Sequence, residues 1–379
     1  MMQKTARRAG VSRGDGRMKH RMRTILLLWM ILQSAALMLT GCGAREKDAG
    51  SAPETPAAPR EDLPLKIADT QLLQEELSAA ISQVRQPAVM DVSAMTWEQT
   101  PEIDVKNLYY GLLREDPAMK YAYDLTAEVE NGLLTCRISY MPYRAGYPQD
   151  WDGIPVASLP ELIETAEGHL GSAPVDIRLT DTALTPDEMN RALQQVGGGY
   201  ILCALSRDGT QLTYTPAMGM TMEECLSLLE QARELAAETA AERIDETMTK
   251  REQAQELYTF LTRSVRYDQR YYSDRANMPY HSQTAIGALR DGVAICGGYS
   301  HALDLLFEQA GIPCYTVTGT FGGENHMWNI AQLDGQWLWF DATADRSASP
   351  QYQPRHFAQA ELEGRYTWDS AQLGWLLKE

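Results

Sequence analysis

Apolar positions recur along this chain with two periods, and the switches between them mark out small helix and hairpin units. From Asp69 to Val84, Leu72, Leu73, Leu77, Ala80, Ile81 and Val84 fall near one face at helical spacing. The period then becomes two. Tyr121–Glu130 and Leu133–Tyr140 flank Asn131-Gly132, a strong hairpin signal, and a two-residue turn there pairs Val129 with Leu134, Ala127 with Cys136, Leu125 with Ile138 and Tyr123 with Tyr140. One face of that hairpin is apolar throughout, as packing against a helix requires. A Pro- and Gly-rich passage follows over 142–160. Beyond it the pattern predicts a short helix around Glu161–His169, a strand at Val175–Leu179 and a helix over Pro186–Gln195 capped by Thr185. A second hairpin about Asp208-Gly209 sets Leu205 opposite Leu212 and Cys203 opposite Tyr214. The helix-then-hairpin pattern thus recurs, which points to a distant internal duplication.

Helical spacing dominates next. Thr221-Met222-Glu223-Glu224 is a capping box opening a helix to about Ala240, and a second helix runs from Lys250 to about Val265 on Ala254, Leu257, Tyr258 and Leu261. A third starts at Cys296, with Tyr299, Ala302, Leu303, Leu306, Phe307 and Ala310 along one side, and Gly311 and Pro313 end it. Cys314–Thr320 reads as a core strand, another strand begins near His326, and Asp334-Gly335 turns it into a strand ending at Asp341. The fold class expected is α+β. An N-terminal α+β region over 65–220 precedes a domain over 221–349, and 350–379 reads as a C-terminal tail.

The first residues change the picture of where the chain works. Arg17, Lys19, Arg21 and Arg23 precede an apolar run from Ile25 to Leu39 that closes on Leu39-Thr40-Gly41-Cys42. That run is short for a membrane helix, and the box resembles a bacterial lipoprotein signal. The resemblance implies removal of residues 1–41, a lipid on Cys42, and a cell-membrane anchorage on the exported face. Residues 42–64, rich in Ala, Pro, Glu and Gly, read as a flexible tether. Residues 1–41 hold eight basic side chains and one acidic one, so the remainder carries 26 basic against 50 acidic, a net of −24. So acidic a surface disfavours nucleic acid and anionic polymers as partners, and leaves anchoring to lipid. A monomer is expected.

With Cys42 set aside, Cys136, Cys203, Cys225, Cys296 and Cys314 form neither an even disulfide framework nor a CxxC metal pair, and no calcium-binding loop is present. No metal and no cofactor are expected. Most of these cysteines should be buried small residues. Cys296 differs, because Ile295-Cys296-Gly297-Gly298-Tyr299 puts it at a helix N-terminus, where the dipole and unpaired N–H groups favour a thiolate and can hold an oxyanion. The two glycines would let a substrate backbone come close.

The Asp334-Gly335 turn supplies two partners. Pairing across it sets Asp341 opposite Trp328, so His326, two residues earlier, shares its face at a diagonal of roughly 7–8 Å. A three-residue turn would send the two to opposite faces. In the two-residue register Asp341 would accept from Nδ1 of His326 and leave Nε2 to face Cys296, making Cys296 the nucleophile, His326 the base and acid, and Asp341 the orienter. His281 and His301 lack a carboxylate at an obvious spacing and read as ordinary surface or satisfied groups; His356 lies in the tail. Trp328, Trp337 and Trp339 read as core or cleft wall.

Around these residues stand Tyr267-Asp268, Cys296-Gly297-Gly298-Tyr299, Gly311-Ile312-Pro313, Val317-Thr318-Gly319, His326-Met327-Trp328-Asn329, Trp337 and Phe340-Asp341-Ala342-Thr343. Over about a fifth of the chain this set resembles the transglutaminase-like superfamily of papain-type thiol enzymes. The resemblance implies a Cys-bearing helix packed on an antiparallel sheet that carries the histidine and the aspartate. It also implies an upstream oxyanion donor, for which Gln283 and Tyr267 are the candidates. Ala344 departs from the tryptophan that many bacterial relatives carry there. Three activities fit these residues: a cysteine hydrolase of peptidase or amidase type acting on peptide or protein through a thioester, a protein-glutamine gamma-glutamyltransferase that cross-links through amines, and a non-catalytic surface binding module.

Overall fold

The computed structural model describes residues 63–346, 364–374 and 376–377, and the fold is α+β. The expected signal segment, the expected lipidation site Cys42, nearly all of the expected tether, and His356 lie outside the described residues.

The first stretch runs β1 (Leu65–Lys66), α1 (Thr70–Ser82), β2 (Ala88–Asp91), α2 (Pro101–Glu115), β3 (Ala122–Glu130) and β4 (Leu133–Tyr140), with sheet order β1-β2-β4-β3. After the short α3 (Pro142–Ala145) come β5 (Ile154–Val156), α4 (Leu159–Gly168), β6 (Val175–Leu179), α5 (Pro186–Leu193), β7 (Ile201–Leu205) and β8 (Gln211–Pro216), with order β5-β6-β8-β7. The two stretches trace one path. In each, the first two strands are parallel, a helix crosses between them, and the closing hairpin inserts its second strand beside the second strand of the unit. This topology supports the duplication that the hydrophobic pattern suggested, and the two units share one apolar core from Ile67 to Leu212.

Local chemistry accounts for most boundaries. Asp69 caps α1 by accepting from the N–H of Leu72, and Thr185, Thr221 and Thr249 each close a full capping box. The helix α2 went unread, although Thr100, Pro101 and Asp104 are start signals of the same kind. The first hairpin keeps the expected pairs at Val129, Ala127 and Leu125, but Ala122 rather than Tyr123 faces Tyr140. A bulge at Tyr123 shifts the register there. It turns Ala122 into the core, where its carbonyl accepts from the buried Tyr109 hydroxyl, and leaves the Tyr123 ring half-exposed beneath Arg207.

The second half opens with α6 (Met222–Arg243) and α7 (Lys250–Ser264) and continues through β9 (Arg266–Tyr267), α8 (Arg270–Ser273), α9 (Ala285–Leu289) and β10 (Val293–Ala294) to α10 (Cys296–Gln309). Strands β11 (Cys314–Phe321), β12 (Glu324–Leu333), β13 (Gln336–Phe340) and β14 (Tyr366–Trp368) form an antiparallel sheet in the order β13-β12-β11-β14. The stretch expected as a tail thus supplies an edge strand, paired with β11 at Gly319, Thr320 and Phe321. Every predicted core position of α10 is buried, and Phe307 meets Phe340 of the sheet edge-on at 5.3 Å. The other sheet face carries its own cluster of Val317, Trp328, Ile330, Trp339 and Tyr366, so Trp328 and Trp339 are core residues.

The start of α10 is held by backbone. Strands β9 and β10 pair in parallel, the N–H of Ile295 donates to the carbonyl of Ser282, and the Ser282 hydroxyl donates to Asp268 at 2.6 Å. Asp268 is 3% exposed and receives a two-pronged guanidinium from Arg270, both bonds 2.9 Å. Hydrogen bonds from Arg270 and then Ser282 outweigh burial and hold its carboxyl down to about 2. The two glycines serve this packing rather than substrate access. A Cβ on Gly297 would lie 2.9 Å from the Gln283 carbonyl, and one on Gly298 would lie 2.7 Å from that of Ser282 and 2.9 Å from that of Thr284.

Two outcomes follow. Gly298→Ala should destabilise by about 1–3 kcal/mol, since backbone oxygens must shift to admit the methyl, read as a lower urea midpoint with changed Cys296 alkylation; an unchanged midpoint and unchanged alkylation would contradict this packing. Because the Asp268 carboxyl sits below its ordinary value of 3.8, its contribution is complete above that pH and is lost as pH falls towards about 2. Asp268→Asn should therefore lower the melting temperature at pH 6, and the deficit should shrink on acidification. A deficit constant from pH 6 to pH 3 would exclude the charged clamp.

Candidate active site

The register that joins the imidazole to the carboxylate is set at one turn. Asp334 and Gly335 adopt φ of 53° and 77°, the left-handed pair that a two-residue turn needs. Asn329 then faces Phe340, as the two-residue register requires, and His326 and Asp341 come to the same side. The bond forms through the nitrogen opposite to the one expected: Nε2 of His326 meets Oδ2 of Asp341 at 2.7 Å. The physical reason is reach. A diagonal pair is too far apart for the nitrogen beside Cβ, so the distal nitrogen spans the gap. Nδ1 makes no bond to the carboxylate, and the Cys296 thiol is close enough to the ring to favour its protonated form.

Burial opposes a charge on His326, but hydrogen bonds to Asp341 and Cys296 and their charges prevail, and its pKa rises to about 9. The ring is wedged beside Trp328, nearly parallel at a centroid distance of 5.8 Å, with Phe321 and Tyr366 as further walls. Asp341 is fully buried. Its Oδ1 accepts from the N–H of Ala344 at 2.9 Å, and its Oδ2 also accepts from the Tyr366 hydroxyl at 2.7 Å. Tyr366 escaped the sequence reading because it lies in the stretch taken for a tail. The alternating aromatics of Tyr366-Thr367-Trp368 after Gly364 were the available signal.

Of the two oxyanion candidates, the structure brings Tyr267 to the site. It lines a cleft of about 290 Å³ with His326, Tyr271, Tyr272, Glu324 and Arg346. Its phenol is pushed far up by burial, by a hydrogen bond with Tyr272 and by the nearby Cys296, so it stays a donor. Gln283 contributes its backbone carbonyl to the packing of Gly297, and it is not among the cleft residues. The N-cap of α10 is Ile295, which offers no side-chain acceptor, so the first N–H groups of the helix have no side-chain cap there.

The remaining thiols behave as structural residues. Cys136 and Cys203 are buried, with burial pushing each up to about 12, and Cys225 is buried as well. Cys314 is half-buried, and burial together with the Asp304 charge drives its thiol well up. His301 is not an ordinary surface group. It borders a larger cavity of about 620 Å³ on the flank of α10 with Glu167, Arg233 and Asp304, and burial lowers it to about 4. His281 keeps a buried Nδ1 without a partner. Among the described residues no group of three or more His, Cys, Asp or Glu is placed to hold a metal ion.

Comparison with known proteins bears on this arrangement. Among solved structures the chain is similar to one titled "Crystal structure of a TGase", at 14% identity and a TM-score of 0.28 over 56% of this chain and 64% of that one. It is also similar to a putative protease from Parabacteroides distasonis, at 11% identity and a TM-score of 0.23 over 60% of this chain and 36% of that one. The chain thus spans less than two thirds of either structure's length. No curated protein matches it. The family model described as "Transglutaminase-like superfamily" matches residues 237–342, the stretch that carries the thiol, the imidazole and the carboxylate. Residues 237–342 are thus similar to the transglutaminase-like superfamily, which includes cysteine peptidases and transglutaminases.

Proposed function

We propose that this protein is a cysteine hydrolase of peptidase or amidase type, acting on peptide or protein substrates and tethered by lipid outside the cytoplasmic membrane. The observation that carries the reading is the bond from Nε2 of His326 to the buried Asp341 carboxylate, with the Cys296 thiol at the start of α10 close to the same ring. Such an arrangement needs little reorganisation before attack.

The Cys296 thiol gives its proton to Nδ1 of His326, the sulfur attacks the amide carbonyl carbon, a C–S bond forms, and the carbonyl π pair moves onto oxygen. The uncapped N–H groups at the start of α10 and the Tyr267 phenol are the donors proposed to receive that charge. Collapse breaks the C–N bond, and the leaving amine takes the proton from Nδ1 of His326. Water, losing a proton to Nδ1, then cleaves the thioester and restores the thiol. Throughout, Asp341 holds Nε2.

Hydrolysis is favoured over amine transfer because nothing in the sequence identifies a lysine-bearing acceptor site. The amine-transfer and binding-module readings are outcomes of the same assay. Ammonia or peptide release should fall at least a thousandfold in Cys296→Ala and in His326→Ala. Incorporation of a fluorescent primary amine well above hydrolysis would move the assignment to a transferase, and activity indifferent to Cys296→Ala would end the enzymatic reading. The acid role of His326 needs its protonated form, which persists below its pKa and is lost above it. Activity should therefore decline on the alkaline side near pH 9. The tether has its own check. Cys42→Ser should move the protein from the membrane fraction to the soluble one; retention in membranes would rule out lipid on that cysteine.

A further inference from the structure

The carboxylate that orients His326 is shared. Asp341 has no exposure to solvent, so its charge depends entirely on donors from the protein. Oδ1 has the N–H of Ala344, while Oδ2 accepts from two groups at once, Nε2 of His326 and the hydroxyl of Tyr366, each at 2.7 Å. Two donors on one oxygen compete for its electron density, and what the phenol takes the imidazole does not receive. The phenol is buried among aromatic rings. It is 5% exposed, its ring lies 4.7 Å from Phe321 and 5.1 Å from Trp328, and burial, with the Asp341 charge second, raises its pKa, so it keeps its proton. Tyr366 also belongs to β14, the edge strand that reaches the site from beyond the domain core.

We propose that Tyr366 is a positioning residue of the catalytic site, fixing the Asp341 carboxylate and setting how strongly His326 holds its proton. The catalytic consequence rests on the function proposed above; the effect on the imidazole does not. Withdrawing the hydroxyl leaves Oδ2 to His326 alone, so the ring should bind its proton more tightly and give it up less readily to a leaving amine.

The test uses the full chain and Tyr366→Phe, which keeps the aromatic packing. In a Cys296→Ala background, where the thiol no longer contributes, the His326 ring resonances should titrate at least about half a unit higher when Tyr366 is also Phe. With Cys296 present, kcat should fall about tenfold while KM changes less than twofold. Trp368→Phe is the control for simple loosening of β14, since Trp368 packs on Trp328 and Trp339. It should lower stability and leave the His326 titration in place. A His326 titration unmoved by Tyr366→Phe, or moved equally by Trp368→Phe, overturns the proposal. A shifted titration in a chain that hydrolyses no peptide supports the role of Tyr366 and instead removes the enzymatic reading.

Discussion

A carboxylate enclosed by protein on every side is the constraint around which this site is built. Asp341 has no water to solvate it, and an unpaired charge in that position would cost several kcal/mol. Its donors therefore have to be in place whenever the fold is. They come from three separate stretches: the β12 strand through His326, the turn after β13 through Ala344, and the distant β14 strand through Tyr366. Satisfying the carboxylate consequently fixes the imidazole, and with it the direction in which the second ring nitrogen points.

The thiol is placed by an independent set of contacts that contains no titrating partner of the sulfur. Gly297 and Gly298 let the first turn of α10 lie directly on the 282–284 backbone, and the buried Asp268 ties that backbone to β9 through Ser282. Helix and sheet are then joined by apolar packing, with Phe307 and Phe340 at the seam. Two rigid supports thus converge on one gap.

The N-terminal half belongs to a different layer of organisation. Its two units repeat one strand order and share one core, and the apolar cluster of the superfamily domain takes in Tyr200 and Ile201 at the end of the second unit. The larger cavity beside His301 lies between the flank of α10 and the second of these units, and shares no lining residue with the His326 cleft.

What could be read from residues alone was whatever depends on near neighbours. Helical spacing placed the core face of α10, the Thr185 cap and the Thr221 capping box placed the starts of α5 and α6, and Asn131-Gly132 and Asp334-Gly335 gave registers that hold because a two-residue left-handed turn admits one pairing. From the last of these the approach of His326 to Asp341 followed, since side chains on a strand alternate with period two. The sequence could not decide which ring nitrogen faces the carboxylate, because that depends on a side-chain reach of a few ångström across a twisted diagonal. Nor could it show that Gly297 and Gly298 accommodate the protein's own backbone, or that a bulge displaces Tyr123. Tyr366 is the clearest case. Nothing within several residues of it encodes a partner, and only the pairing of β14 with β11, distant in the chain and joined in the folded sheet, brings its hydroxyl to the buried carboxylate.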